Sequence, residues 1–175
     1  MRTDDRPFAG ETMSYGFIEA LIGIALVAAS EHGVAAILIG SDRARLLRDL
    51  HAALGGATLN EDAAAMAPTL DAVAALLAYP EKGASFALDL RGSPLELAVW
   101  KALRMVPGGQ TIGYGELARW LSIPATAQEV GAACAANRVA IAVPCHRVVK
   151  ADGGISGYRW GVERKRRLIN MEGVA

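Results

Sequence analysis

The sequence predicts an α/β N-terminal lobe, an antiparallel sheet with helices, followed by a mostly helical C-terminal lobe. Three observations predict it. Three short apolar runs broken by glycine lie within residues 14–39, two helical stretches follow them, and beyond residue 91 capped helix-length segments dominate. Length and composition agree with one ordinary domain or two small lobes sharing a core, since 175 residues carry 53 % hydrophobic and 21 % charged side chains. That balance excludes intrinsic disorder, which needs low hydrophobicity and high net charge.

Residues 1–13 read as a flexible tail, 14–90 as the α/β lobe and 91–175 as the second lobe. Residues 15–18, 24–29 and 34–39 are the apolar runs, and Glu31-His32-Gly33 between the last two is a turn, so an antiparallel meander is expected. Asp42 then caps a helix in which Ala44, Leu46, Leu47, Leu50 and Leu54 share a face, and Gly55-Gly56 stops it. A second helix is expected over 62–77, interrupted by Pro68 and closed by Tyr79-Pro80. Residues 86–90 make a last short strand, and Arg91-Gly92 joins the halves. Ser93-Pro94 caps a helix over 95–106 that Pro107-Gly108-Gly109 ends.

Residues 114–121 and 126–137 form two helical stretches joined by Ser122-Ile123-Pro124-Ala125, the spacing of a helix-turn-helix. Gly131, Ala132, Ala133, Ala135 and Ala136 leave the second almost bare of long side chains. Two readings stand: the small residues let it pack tightly in the core, or a slim helix approaches a phosphate backbone or enters a narrow groove.

Formal charge is zero, with 18 basic against 18 acidic side chains, but the halves differ. Residues 1–90 carry 6 basic and 12 acidic groups, and residues 91–175 carry 12 basic and 6 acidic. A basic half can present a positive face to a polyanion. Ten aromatic residues are too few for an extended base-stacking platform on single strands. The most apolar run, 20–29, is half the roughly 20 residues a membrane span needs, and the charged start lacks a signal-peptide pattern. No membrane association and a cytoplasmic location are therefore expected. Two cysteines and three scattered histidines lack zinc-site spacing, so no metal and no cofactor are expected.

The segment Val143-Pro144-Cys145-His146-Arg147-Val148-Val149 is the richest in chemistry. A cysteine with histidine nearby is a candidate activated nucleophile, because a free thiol of pKa about 8.5 needs a base or a positive field to react at neutral pH. On that pair alone, an inert buried cysteine is the competing reading.

A longer string decides between them. Ala135-Ala136-Asn137, the PCHR string with its apolar approach at 141–143, and Ser156-Gly157-Tyr158-Arg159-Trp160-Gly161 closely resemble the O6-alkylguanine-DNA alkyltransferase family, most of all the C-terminal domain of its bacterial adaptive-response branch. The resemblance spans residues 15–172 and is most specific after residue 88. The N-terminal metal-binding domain of that branch, with its four-cysteine cluster, is expected to be missing. The fold the resemblance implies is a ribonuclease H-like first lobe and a winged-helix-like second lobe. It further implies DNA repair by irreversible, single-turnover transfer of a methyl or alkyl group from O6 of guanine, with O4 of thymine as a second candidate, to Cys145. His146 would take the thiol proton, Glu172 would orient and polarise His146, Asn137 would brace the turn, and Tyr114 would hydrogen-bond the guanine so that it leaves as a neutral base. Backbone groups at Cys145, Val148 and Arg159 would read the base edge, with Tyr158 walling the pocket and Trp160 limiting its size. Ala140 stands where some relatives carry a proline that offers bulky rings a wall.

The implied partner is double-stranded DNA bound through its minor groove by a monomer, with the damaged nucleotide flipped out. Thr126, Gln128, Ala135, Arg138 and Arg147 are the expected DNA contacts. Lys150 and the run Arg164-Lys165-Arg166-Arg167 add charge in the same half. A solvated helix face is an equal reading of that run, and a structural role an equal reading of Arg147. Gln128 stands where the family carries an arginine that fills the space left by the flipped base, and Glu129 where a small residue is usual. The competing function is a non-catalytic lesion-binding protein of the same fold, in which the nucleophilic cysteine is replaced. Retention of Cys145, His146, Glu172 and Tyr114 argues for chemistry.

Overall fold

A computed structural model describes residues 2–4, 8–155 and 157–173. Strand β1 (Arg2–Asp4) is followed by β2 (Thr12–Ala20), β3 (Gly23–Ser30) and β4 (Gly33–Gly40), which form the expected antiparallel meander. Gly33 starts β4 at a φ of 136°, and a Cβ there would sit 2.5 Å from the Ala87 carbonyl oxygen, so only glycine fits this close turn. Helix α1 (Arg43–Ala53) begins at Asp42, whose carboxylate accepts from Arg45 N, and buries Leu46 and Leu50 on the sheet. Strand β5 (Thr58–Glu61) then adds to β2 in parallel, giving the order β4-β3-β2-β5. The sequence gives no sign of this strand, because Thr58, Asn60 and Glu61 are polar and exposed at the sheet edge.

Helix α2 (Ala67–Ala78) starts five residues later than expected. Pro68 does not interrupt it but occupies its first turn, where no intrahelical N–H is needed. Strand β6 (Asp89–Arg91) pairs in parallel with β1. This corrects the expected tail: residues 2–4 hold a ladder, and Phe8 is buried with the Arg91 guanidinium 4.2 Å from its ring centroid. Met1 and residues 5–7 lie outside the described residues. Arg91 is itself buried and held bidentately by Glu11, and by Asp89, which also accepts from Ser30 Oγ.

Helix α3 (Pro94–Leu103) carries a capping box, Ser93 and Glu96 each bonding the other's backbone N–H. After the two-residue strand β7 (Ile112–Gly113) come α4 (Tyr114–Trp120) and α5 (Ala127–Ala136), the two consecutive helices expected. Trp100 Nε1 of α3 donates to the Ala133 carbonyl (2.8 Å), which pins α5 from behind. Strand β8 (Val148–Val149) pairs with β7, and α6 (Val162–Met171) closes the chain.

The result, among the described residues, is a mixed α/β fold with a small four-stranded sheet and six α-helices, most of its buried apolar residues forming one cluster across both halves. The halves meet along β4. Ile37 N donates to Arg138 O and Ala140 N to Ile37 O, both at 3.0 Å, so Val139 makes a single parallel bridge to the edge strand β4. That seam anchors the turn leading into Cys145.

Candidate active site

The turn after α5 is built around Asn137, whose side chain is fully buried at the helix end. Its Oδ1 accepts from Val139 N (2.8 Å), while its Nδ2 donates to Val143 O (2.9 Å) and to Cys145 Sγ (3.2 Å). The backbone between is strained: Ile141, a buried β-branched residue, has a φ of 66°. Such a conformation costs about 1–3 kcal/mol and persists where surrounding contacts over-determine it. Here Asn137 and the sheet-edge seam do so, and they aim Cys145 at the head of a single 3₁₀ turn over Cys145–Arg147.

Cys145 is 4 % exposed and sits in a pocket of about 350 Å³ lined by Tyr114, Gly131, Cys134, Ala135, Gly157, Tyr158 and Arg159. Burial pushes its thiol up to about 11, against the Asn137 hydrogen bond and the Lys165 ammonium, which pull it down. His146 is fully buried, and burial lowers its pKa although Glu172 opposes this, so the imidazole is neutral at pH 7. Its Nε2 lies 2.8 Å from Glu172 Oε1, and its Nδ1 is buried with no hydrogen-bond partner among the described residues. Burial works to raise the Glu172 carboxyl, but hydrogen bonds from His146 and Arg147 outweigh it and hold the group at about 2. A carboxylate at Oε1 fixes the proton on Nε2 and leaves the Nδ1 lone pair free to accept one.

Arg147, expected to contact DNA, does not reach solvent. It is buried, donates to both Glu172 oxygens from Nε and to Oε1 from Nη2, and its remaining N–H groups take the carbonyls of Val106 (2.6 Å) and Pro80 (3.1 Å). A guanidinium so engaged neutralises the buried carboxylate and ties α6 to the first half. In the run 164–167 Lys165 is buried, Arg164 half-buried, and Arg166 and Arg167 exposed. Lys165 is fully buried with Nζ 2.5 Å from Val148 O, Arg164 and Arg167 donate to Ile22 O and Leu21 O at the β2–β3 turn, and Arg166 pairs with Glu163. Sequence reasoning missed Lys165 as a buried cation that lowers the Cys145 thiol, together with Cys134, Gly131 and Gly157 as pocket walls.

Trp160 also differs from expectation. It is buried outside the Cys145 pocket, edge-on to Tyr158 at 5.1 Å, and lines a separate cavity of about 500 Å³ between α1 and residues 159–164. That cavity is the larger one but holds neither nucleophile nor base. Tyr158 walls the Cys145 pocket and meets His146 edge-on at 6.5 Å. Val148 is fully buried, its N–H on Cys145 O and its carbonyl on Lys165. Arg138 is half-buried, donates to Ala53 O and approaches the Phe8 ring, so its charge is turned to the first half.

Thr126, Gln128 and Ala135 are exposed on α5. Thr126 and Glu129 form a capping box, with Glu129 Oε2 accepting from both Thr126 N and Thr126 Oγ1. The Glu129 carboxylate is thus folded onto its own helix end, and its pKa is lowered by those bonds. Among the described residues no group of three or more His, Cys, Asp or Glu could hold a metal, and no helix is long and apolar enough to cross a membrane.

Comparison with known proteins places this geometry. Residues 94–174 match the family model for the 6-O-methylguanine DNA methyltransferase, DNA binding domain. The bifunctional transcriptional activator/DNA repair enzyme Ada of Escherichia coli K12 is 39 % identical over 165 residues, covering 93 % of this chain and 47 % of that protein. The chain spans about half the length of the curated relatives it matches. The crystal structure of the Mycobacterium tuberculosis O6-methylguanine methyltransferase superposes with a TM-score of 0.75 at 31 % identity, covering 91 % of this chain and 92 % of that one. The same organism's protein in complex with DNA gives 0.73 at 31 % identity, with 92 % of each chain covered.

Proposed function

The chain belongs to the O6-methylguanine-DNA methyltransferase family, and from that premise we propose that it repairs DNA by moving a methyl or alkyl group from O6 of guanine onto its own Cys145. The observation that carries this reading is Cys145 in a pocket of about 350 Å³, its sulfur held by buried Asn137 and the next residue, buried His146, held by Glu172. Nucleophile, base and a third group that fixes the base are the parts a weak thiol nucleophile needs.

In this mechanism the Cys145 thiol passes its proton through a water to His146 Nδ1, and the Glu172 carboxylate stabilises the imidazolium. Sγ attacks the alkyl carbon, the carbon–O6 bond breaks, and its electron pair leaves with the purine, to which Tyr114 gives its hydroxyl proton so that it departs as neutral guanine; the imidazolium then releases the thiol proton to solvent and the phenolate takes one back. A thiol near 11 ionises at pH 7 at a cost of about 5 kcal/mol, which is why a base that is neutral and already oriented matters. The thioether has no leaving group, so each molecule acts once.

The target atom lies inside a duplex, so the nucleotide must rotate out. We assign Thr126, Gln128 and Ala135 on α5 to the minor groove, Gln128 as the wedge, and the base edge to backbone groups at Cys145, Val148 and Arg159. Monomeric binding, the lobe boundaries 14–90 and 91–175, their ribonuclease H-like and winged-helix-like character, action at O4 of thymine and a cytoplasmic, nucleoid-associated location belong to the same proposal.

Incubation with excess duplex containing O6-methylguanine tests it. The protein should gain the mass of one methylene per chain, mapped to Cys145, and Cys145→Ala should gain none. Lesion binding without any gain would overturn the chemistry in favour of a binding-only protein, and gain at Cys134 would overturn the residue assignment.

A further inference from the structure

Resting on the alkyl-transfer reading, we propose that the Arg159 side chain is a positioning residue that straps the two walls of the Cys145 pocket together and sets the width of the slot. One wall is helical, made of Tyr114 on α4 and Gly131, Cys134 and Ala135 on α5. The other is the loop carrying Gly157, Tyr158 and Arg159. Arg159 Nη1 crosses between them, donating to the carbonyls of Ala135 (3.2 Å) and Ala136 (3.3 Å).

Those carbonyls sit in the last turn of α5, whose final C=O groups have no partner inside the helix. A cation there satisfies them and meets the negative end of the helix dipole. Helix α5 has no basic residue of its own in that turn, so the charge comes from the opposite wall. The strap also bears on the chemistry. Arg159 follows Tyr158, whose ring lies edge-on to His146 and to Trp160, and α5 ends at Asn137, which holds the Cys145 sulfur. On its far side Arg159 borders the 500 Å³ cavity, so the strap works beside the bonds from Arg164 Nη1 to Trp160 O (3.0 Å) and from Lys165 Nζ to Gly157 O (3.5 Å), which tie the loop to α6 but not to α5. Gly157 and Gly161, the latter at a φ of 99°, flank the segment and add no stiffness.

A planar base held in a slot reacts through near-attack geometry, and a displacement of about 1 Å can cost up to roughly a hundredfold. We therefore expect Arg159→Ala to slow methyl transfer roughly tenfold on two substrates alike: duplex carrying O6-methylguanine, and free O6-methylguanosine, which has no phosphate. The apparent binding constant for the nucleoside should weaken, and the shape of the pH–rate profile should stay in Arg159→Lys, which keeps the positive charge that helps to lower the Cys145 thiol. Arg159→Lys and Arg159→Gln keep a donor for the carbonyls and should each recover part of the loss on both substrates. Amide hydrogen exchange at 157–161 and at 133–137 reads the strap without any substrate and should quicken in Arg159→Ala alone.

A loss on duplex with none on the nucleoside would mean that Arg159 is a phosphate contact, and would overturn the strap. Unchanged exchange in Arg159→Ala would overturn it equally. Quickened exchange in Arg159→Ala, together with a wild-type protein that accepts methyl from neither substrate, would instead count against the alkyl-transfer reading and leave the strap standing. Thermal unfolding of each variant separates loosened walls from global loss of fold.

Discussion

Replacing Glu172 by glutamine removes one charge from a site where three groups depend on it. The carboxylate accepts from His146 Nε2 at 2.8 Å, from Arg147 Nε and Nη2 at 3.0 and 2.9 Å, and from Gly109 N at 3.3 Å. Its side chain has no solvent exposure, so screening does not reduce these terms. The gap between an ordinary glutamate at 4.5 and the folded value of about 2 corresponds to about 3 kcal/mol. Because the folded pKa is depressed, this stability is fully present above pH 4.5 and is lost as pH falls through 2. Glu172→Gln should lose it at all pH values and leave Arg147 buried without a counter-charge, a change that costs about 3–5 kcal/mol in buried pairs. Denaturant unfolding at pH 7 and at pH 3 should then show the wild type losing more stability with acid than the variant, which keeps only the loss from other depressed carboxylates such as Glu129. Methyl transfer, measured below the variant's melting temperature, should fall by roughly 10²–10⁴, as when a base loses its orienting carboxylate. A folded Glu172→Gln protein reacting at the wild-type rate would refute the role of Glu172, and parallel acid losses in both proteins would refute the pKa argument.

Gln128→Arg should speed repair in duplex more than reaction with single strands. Extrusion costs a few kcal/mol, and a gain of about 1.4 kcal/mol from a planar cation is worth tenfold when flipping precedes chemistry. Equal acceleration in both forms, or none, in single-turnover rates would show that extrusion is not limiting. Trp160→Gly should raise benzyl transfer more than methyl transfer, because the Tyr158 ring it touches can then retreat toward the 500 Å³ cavity. Equal change for both alkyl groups would show that Trp160 serves the core alone. Thr126→Ala should cost about 1 kcal/mol in denaturant unfolding by opening the α5 capping box, and it should release the Glu129 carboxylate to weaken duplex binding in low salt. Unaltered stability would mean that the cap contributes nothing.

The meander was legible because its three strands are apolar and glycine-bounded, and the helices because Asp42, Ser93 and Thr126 announce their starts. What stayed hidden depends on partners distant in sequence. Strand β5 is polar and acquires its conformation only from the edge of β2. Phe8 is one aromatic in a polar stretch, and its burial follows from a guanidinium more than 80 residues away. The site divides in the same way. Cys145 and His146 are adjacent and carry a recognisable string, whereas the value of Glu172 depends on a contact across 26 positions.

The basic residues show where composition misleads and periodicity would have corrected it. Four consecutive cations at 164–167 and an arginine beside the nucleophile suggest a phosphate-binding face, yet Arg147 and Lys165 are buried. Spacing along α6 carries the missing information. Lys165, Leu168, Ile169 and Glu172 fall at i, i+3, i+4 and i+7, one face of a helix, and Leu168 and Ile169 mark that face as inward. A lysine on the same stripe as the candidate carboxylate therefore points into the site. Once inside, its ammonium must find oxygen, and it finds the Val148 carbonyl. From there its charge lowers both the Cys145 and Cys134 thiols against the burial that raises them. The same face thus delivers a carboxylate to the base and a cation to the nucleophile, two helical turns apart.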